Sequence, residues 1–369
     1  MTSAIRAGVI GYGLGGRVFH TAFINAVPGL ELAAIVQRKG NEAAQAYPNA
    51  TIYRSVEELL ADPSVQLVSV TTSNQTHFEL GKQCLQAGKH VVIDKPFTLT
   101  SSEAAELIKI ARERNLVLSA FQNRRWDGDF RTIRDLLSRG VLGRVVVFES
   151  HYDRFRQELR LETWKEGGFY GGGQLYDLGT HIIDQALALF DAPQTITADV
   201  RAERPGALND DAFDIRLGYI GETEKNLTIW LRSTMTAAIP GPRFTLHGTQ
   251  GSFVKFGIDP QEDAIKGGVV IGSPGWGEEP EQLWGTLKLA DGSETRIRTE
   301  AGDYRGYYAN VRDAILGEAA LAVPGIDAWR TARIIELARQ SSAEGRTLPV
   351  NLDPLSSETI TADSLSPPL

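Results

Sequence analysis

Two short stretches of the chain hold residue types suited to proton and hydride chemistry. One is Asp94-Lys95-Pro96, directly after the apolar run "HVVI". The proline favours an extended backbone at the lysine and so sets its direction. A lysine at the edge of a sheet can donate to a substrate oxygen. The other stretch is "GGFYGGGQLYDLGTHIID", residues 167 to 184, in which Asp177 and His181 stand four apart. On a helix that spacing puts both side chains on one face. Histidine titrates near neutrality and can take a hydroxyl proton while hydride leaves the same carbon. Asp177 then orients either the substrate or the imidazole. Three glycines ahead of the helix let another chain segment or a ligand come close to its start. The competing readings are a solvated lysine and an ordinary i,i+4 ion pair. Zinc is disfavoured at these residues, because no third ligand has suitable spacing.

Hydride chemistry needs a carrier, and the chain opens on a loop that could hold one. In "GVIGYGLGGRVF", residues 8 to 19, Gly11, Gly13 and Gly16 lie between an apolar run and a helix-like segment, with Tyr12, Leu14 and Gly15 between them. Within a strand–loop–helix unit this pattern predicts a dinucleotide site. Gly11 permits the tight turn, Gly13 lets a pyrophosphate approach the backbone, and Gly16 lets helix pack on strand. The phosphates then meet the helix N-terminus. The second apolar run ends in "IVQRKG", so Gln37, Arg38 and Lys39 stand where NAD binders place an acid. A guanidinium beside an ammonium suits a 2'-phosphate, which predicts NADP in preference to NAD. Two more strand ends, "TTSNQTH" from Thr71 to His77 and "IDKPF" from Ile93 to Phe97, fall at the same ligand-binding edge.

The surrounding elements support that placement. From residue 4 to 122, short apolar runs alternate with amphipathic segments, which indicates a parallel sheet covered by helices. After 123 the texture changes to alternating strands separated by turns, so a second, largely antiparallel sheet is expected. The expected organisation is a Rossmann NAD(P)-binding domain over 1–123, an α/β domain for substrate and oligomer contacts over 124–350, and an extended tail over 351–369. A chain of 369 residues fits two domains. Its net charge of -8 offers no basic patch for nucleic acid. The single cysteine, Cys84, excludes an internal disulfide and reads as a small buried helix residue. The N-terminus does not read as a signal peptide, no apolar run is long enough to span a bilayer, and a cytoplasmic protein is expected.

Taken together, "GVIGYGLGG", "TTSNQTH", "DKP" and "GGGQLYDLGTHIID", in this order and spacing, resemble the Gfo/Idh/MocA oxidoreductase family over about residues 4 to 350. Within it, "FQNRRWDGDF", "YDRFR" and "FGIDPQEDA" bring the chain nearest to the NADP-dependent scyllo-inositol dehydrogenase group. The resemblance implies that Lys95, Asp177 and His181 act on a substrate carbinol. It places Thr71, Thr72, Asn74, His77 and Asp94 along the cofactor, with Trp164 and Lys165 near the nicotinamide. Asn123, Arg124, Tyr152 and Arg154 become candidates for the substrate pocket, with Trp126 and Tyr152 as aromatic faces. A homodimer or homotetramer is implied, built through the open sheet. The chain departs from the family pattern in three places: Asp94 for glutamate, Ser73 for proline, and Lys165 for arginine. A dinucleotide-sensing regulator and a redox-assisted glycosidase share the fold. The intact Lys95, Asp177 and His181 set disfavours the first, and the basic pair at 38 and 39 the second.

Overall fold

The computed structural model describes residues 4–221 and 226–353. The tail expected from 351 onward lies outside these residues beyond Asp353. Six strands form the first sheet: β1 (Ile5–Ile10), β2 (Leu30–Val36), β3 (Thr51–Tyr53), β4 (Leu67–Val70), β5 (His90–Ile93) and β6 (Leu118–Ala120). Their order is β3-β2-β1-β4-β5-β6, and every pairing is parallel. Both faces are covered, so these strands read as near-continuous apolar runs and β4 is buried throughout. The chain reverses direction of build between β1 and β4, and ligands bind such sheets outside that switch point.

Nine strands form the second sheet: β7 (Val145–His151), β8 (Thr195–Arg201), β9 (Ala212–Tyr219), β10 (Leu227–Thr234), β11 (Phe244–Gly248), β12 (Gly251–Lys255), β13 (Gly285–Leu289), β14 (Glu294–Ile297) and β15 (Leu348–Pro349). The order is β14-β13-β12-β11-β7-β10-β9-β8-β15, antiparallel except where β10 meets β7. Alternate residues point to one apolar face, among them Phe213, Ile215 and Leu217 of β9 and Ile229 and Leu231 of β10, all fully buried. Each such side chain contributes about 2 kcal/mol through burial. The helices Thr180–Phe190 and Gly325–Glu344 pack on this sheet.

The two sheets are joined by more than the linking chain. The helix Ser101–Glu113 lies against the long helix Gly325–Glu344. Its cap is Thr100, in a reciprocal box with Glu103. Ser101 is thereby free to donate its N–H and hydroxyl to Glu336, at 2.6 and 2.8 Å. The helix Arg305–Leu316 returns to the first sheet, where Tyr308 reaches Ser69 at 3.0 Å and Tyr307 reaches Ser119 at 2.7 Å. Two buried strand hydroxyls are satisfied in this way. No helix among the described residues is long and apolar enough to cross a membrane.

Candidate active site

Register assembles the site. Ile10 pairs with Val36 and Val70, Val70 with Ile93, and Ile93 with Ala120. The residues that follow, Gly11, Gln37, Thr71, Asp94 and Phe121, therefore stand in one row at the carboxyl edge of the sheet, strands about 4.8 Å apart. Segments far apart in sequence become neighbours there.

The glycine loop has the shape of a cradle. Gly11 takes φ +103°, and a Cβ on Gly16 would lie 2.1 Å from the Gly11 carbonyl oxygen, so both positions exclude a side chain. The Thr71 hydroxyl pins the loop by donating to the carbonyls of Ile10 and Gly11, at 3.1 and 2.8 Å. Above Gly13, a Cβ would meet nothing within 4 Å. The following helix opens with a π turn, Gly16–Thr21, before the α segment Ala22–Ala26, and no side chain caps its start. Its leading N–H groups are left for an anion. Tyr12 stands edge-on to Tyr47, with ring centroids 6.4 Å apart, and Leu14 is 60% exposed at the loop's tip.

The turn after β2 is braced from below and bare above. Gln37 is buried; its amide oxygen accepts from Ala43 N and its nitrogen donates to Glu42. Arg54 donates to the carbonyls of Gln37 and Gly40 at 2.9 and 2.7 Å and to Asn41 Oδ1 at 2.9 Å. Arg38 and Lys39 are exposed and take no partner among the described residues. The pattern of glycines and unpaired cations fits an anionic dinucleotide.

Three of the other cofactor-edge residues are occupied within the protein. Thr71 is spent on the loop. Thr72 pairs its hydroxyl with Thr76 at 2.6 Å. Both ring nitrogens of His77 face backbone carbonyls, Pro96 at 2.8 Å and Thr72 at 3.1 Å. Burial pushes His77 below the usual histidine value, and a neutral ring has one N–H, which donates to one of these two carbonyls. Asn74 donates to Gly171 at 2.7 Å, tying the first sheet to the glycine run before the second domain's helix, while its Oδ1 is buried without a partner. Those glycines admit neighbouring chain: a Cβ on Gly173, at φ +89°, would sit 2.3 Å from Asp210 Oδ1.

Lys95, Lys165 and Asp177 meet across the two halves. Lys95 Nζ lies 2.8 Å from Asp177 Oδ1 and 2.9 Å from the Asp177 carbonyl. Lys165 Nζ lies 2.6 Å from Asp177 Oδ2, over the Trp164 ring at 5.4 Å. Burial alone would raise the Asp177 carboxyl, but the ammonium groups of Lys95 and Lys165 hold it well below the usual range. Asp177 belongs to a π turn, Leu175–Gly179, and His181 to the α segment Thr180–Phe190 that continues it. His181 Nδ1 faces Gln122 Oε1 at 3.2 Å, so the imidazole's partner is Gln122 and Asp177 serves the lysines. Burial, together with the cations of Lys95 and Arg124, keeps His181 well below the usual value and therefore neutral at pH 7. A neutral imidazole can accept a proton, and an ammonium held by a carboxylate can face a developing alkoxide. Among the described residues, no group of three His, Cys, Asp or Glu side chains is placed to hold a metal ion.

The substrate candidates divide. Asn123 is buried, and its amide makes no hydrogen bond among the described residues. The Arg154 guanidinium likewise has no hydrogen-bond partner among the described residues and stacks on the Tyr152 ring at 5.6 Å. Tyr152 is wedged among Arg124 at 5.3 Å, Arg154 and Arg243 at 5.1 Å. Arg124, by contrast, is consumed behind the site by Asp127, Tyr304 and Glu262. Trp126 packs edge-on against Tyr307 at 5.5 Å.

Profiles of two domains match this chain: the oxidoreductase family's NAD-binding Rossmann fold over residues 5–122 and its C-terminal alpha/beta domain over 134–352. The chain belongs to the Gfo/Idh/MocA oxidoreductase family. Among its relatives is the uncharacterised oxidoreductase YdgJ of Escherichia coli, 41% identical over 94% of this chain and 99% of that protein. Another is the scyllo-inositol 2-dehydrogenase (NADP(+)) IolW of Bacillus subtilis, 38% identical over 93% of this chain and 95% of the relative. A solved structure of the oxidoreductase yvaA from Bacillus subtilis superposes with a TM-score of 0.91 at 37% identity, covering 95% of this chain and 99% of the other.

The departures from the Gfo/Idh/MocA pattern have visible consequences. Asp94 still accepts from Lys95 N at 2.8 Å, and its other oxygen stands 3.6 Å from His20 Nε2. Lys165, in place of arginine, gives Asp177 a single ammonium contact. Sequence reasoning gave no role to Gln122 or Arg54. Gln122 sits two residues past the end of β6, in the same row as Lys95, and that position was the available signal.

Proposed function

We propose that this member of the Gfo/Idh/MocA family is an NADP-dependent oxidoreductase that interconverts a secondary alcohol of a cyclic polyol or sugar, scyllo-inositol-like, with its ketone. The observation that carries the reading is the Lys95–Asp177 contact at 2.8 Å with His181 on the next turn, beside a sheet edge that holds the glycine cradle. The name of the IolW relative supports the substrate class, and the bare Arg38–Lys39 turn supports the 2'-phosphate.

The glycine loop, the helix start above it, Arg38 and Lys39 would hold the dinucleotide, which supplies a hydride acceptor when bound. His181 Nε2 takes the hydroxyl proton as the carbonyl forms. Lys95 donates a hydrogen bond to the oxygen while its charge grows, and Asp177 holds that ammonium and the Lys165 ammonium in place. Holding the carbinol against these groups supplies much of the rate. Asn123, Tyr152 and Arg154 offer hydrogen bonds and an aromatic face to a neutral, hydroxyl-rich ring.

The test is a screen of inositols and aldoses with NADP and NAD, read by reduced-nicotinamide absorbance, beside the His181→Ala variant. A polyol oxidised with NADP by the wild type, and turned over at least a hundredfold more slowly by the variant, is expected. Equal turnover in both would remove His181 from the chemistry.

A further inference from the structure

Gln122 is 2% exposed and lies between the end of β6 and the helix that carries His181. Its Nε2 reaches both the carbonyl and the hydroxyl of Thr180, each at 3.3 Å. A carbonyl only accepts, so the amide nitrogen must face Thr180; reversing the amide would set two acceptors against each other. Gln122 Oε1 is then fixed toward His181 Nδ1, 3.2 Å away. A buried acceptor at that distance needs an N–H.

We infer that Gln122 is a positioning residue that selects the His181 tautomer, keeping the proton on Nδ1 and leaving Nε2 as the basic nitrogen. Nothing else among the described residues does this, since His181 makes no other hydrogen bond through its ring. The charged groups that bear on the ring are Lys95, Arg124, Asp177 and Arg243, and none is bonded to it. The three cations disfavour a second proton but do not choose between the nitrogens. Gln122 makes that choice, and through Thr180, the residue before His181, it also sets the height of the helix turn against the sheet edge. Without it the neutral ring is free to carry its proton on Nε2, where it cannot accept one from a substrate hydroxyl. The catalytic consequence rests on the proposed dehydrogenase reading; the tautomer does not.

The experiment uses the full chain labelled with 15N-histidine. Long-range proton–nitrogen correlation spectra distinguish a protonated from a bare ring nitrogen, and with six histidines in the chain, His181→Asn assigns the signal. Wild-type His181 is expected to show a protonated Nδ1 and a bare Nε2. Gln122→Met, close in shape but without an acceptor, is expected to lose that preference and to oxidise substrate roughly tenfold more slowly, with NADPH affinity unchanged. Gln122→Glu keeps an acceptor and adds a charge. It is expected to keep Nδ1 protonated and, through its charge, to move the acid limb of the kcat profile upward by about one pH unit, whatever turnover it loses by setting an oxygen against the Thr180 carbonyl. A bare Nδ1 in the wild type, or a Gln122→Met enzyme with wild-type turnover and pH profile, would overturn the inference. If the Met variant does not fold, the wild-type spectrum and the Glu variant decide. If no polyol is oxidised by the wild type, the dehydrogenase reading fails while the spectrum still settles the tautomer.

Discussion

Lys95 follows strand β5 and Asp177 lies in the turn Leu175–Gly179, 82 residues on, yet their side chains meet at 2.8 Å, with Asp177 97% buried in side-chain terms. The pair is a joint between the two halves as well as part of the proposed reacting site. Asp177 also receives Lys165, so one buried carboxylate balances two ammonium groups. Asp177→Asn should leave both cations uncompensated. Turnover is expected to fall by about two orders of magnitude or more, with a loss of about 3 kcal/mol in unfolding free energy. Kinetics and urea denaturation check this together; a variant as stable and active as wild type contradicts the clamp.

Nucleotide choice should reside in the turn after β2. Replacing Arg38 by Ala is expected to lower kcat/KM for NADP ten- to hundredfold, the value of a hydrogen bond to a charged group at about 1.5–3 kcal/mol, and to leave NAD nearly unaffected. Arg54→Ala should act in the same direction more weakly, because Arg54 only braces the turn. Equal losses with both nucleotides would place the 2'-phosphate elsewhere.

The neutral histidines set the response to acid. His181 titrates well below the usual value in the folded state, so polyol oxidation should stay flat as pH falls through 6.5 and decline only further down. Stability runs the other way. Below pH 6.5 the unfolded chain binds protons at positions 77 and 181 before the folded chain does. Each ring therefore costs up to about 1.4 kcal/mol per pH unit until its folded pKa is reached. His77→Gln is expected to lose less stability than wild type between pH 7 and 5, measured by urea titration at each pH. A parallel pH dependence would show that His77 is not the source.

Cys84 lies fully buried in the helix His77–Gln86, and burial pushes its thiol up to about 12. A thiol reagent should find almost no reactive group in the native protein and one in denaturant. Rapid native labelling would mean that this helix opens.

The parts of the fold that announce themselves locally were legible in the sequence. Gly11 and Gly16 mark a backbone need that only glycine meets, and the spacing of Asp177 and His181 lies within one helix. What sequence could not show depends on contacts between distant segments. β3 is three residues long and has no periodicity to read. Residues 257–303, rich in Gly, Asp and Glu, contain both the hairpin β13–β14 and the short helix Gln261–Lys266. The helix Arg305–Leu316 follows the second sheet in sequence yet satisfies Ser69 and His20 in the first domain. The family resemblance makes Arg124 and Trp126 pocket candidates, and only packing shows Tyr304 and Tyr307 beside them. Gln122 gained meaning only once Thr180 and His181 were beside it.

The central claim is tested most directly by following a deuterium label. A polyol deuterated at its carbinol carbons is incubated with NADP and enzyme, and the reduced nucleotide is examined by mass spectrometry and proton NMR. One deuterium at the nicotinamide ring carbon that accepts hydride is expected with wild type, and none with Lys95→Met or His181→Asn. A protein that binds NADP tightly yet transfers no deuterium from any inositol or sugar would contradict the account and leave a dinucleotide sensor in its place.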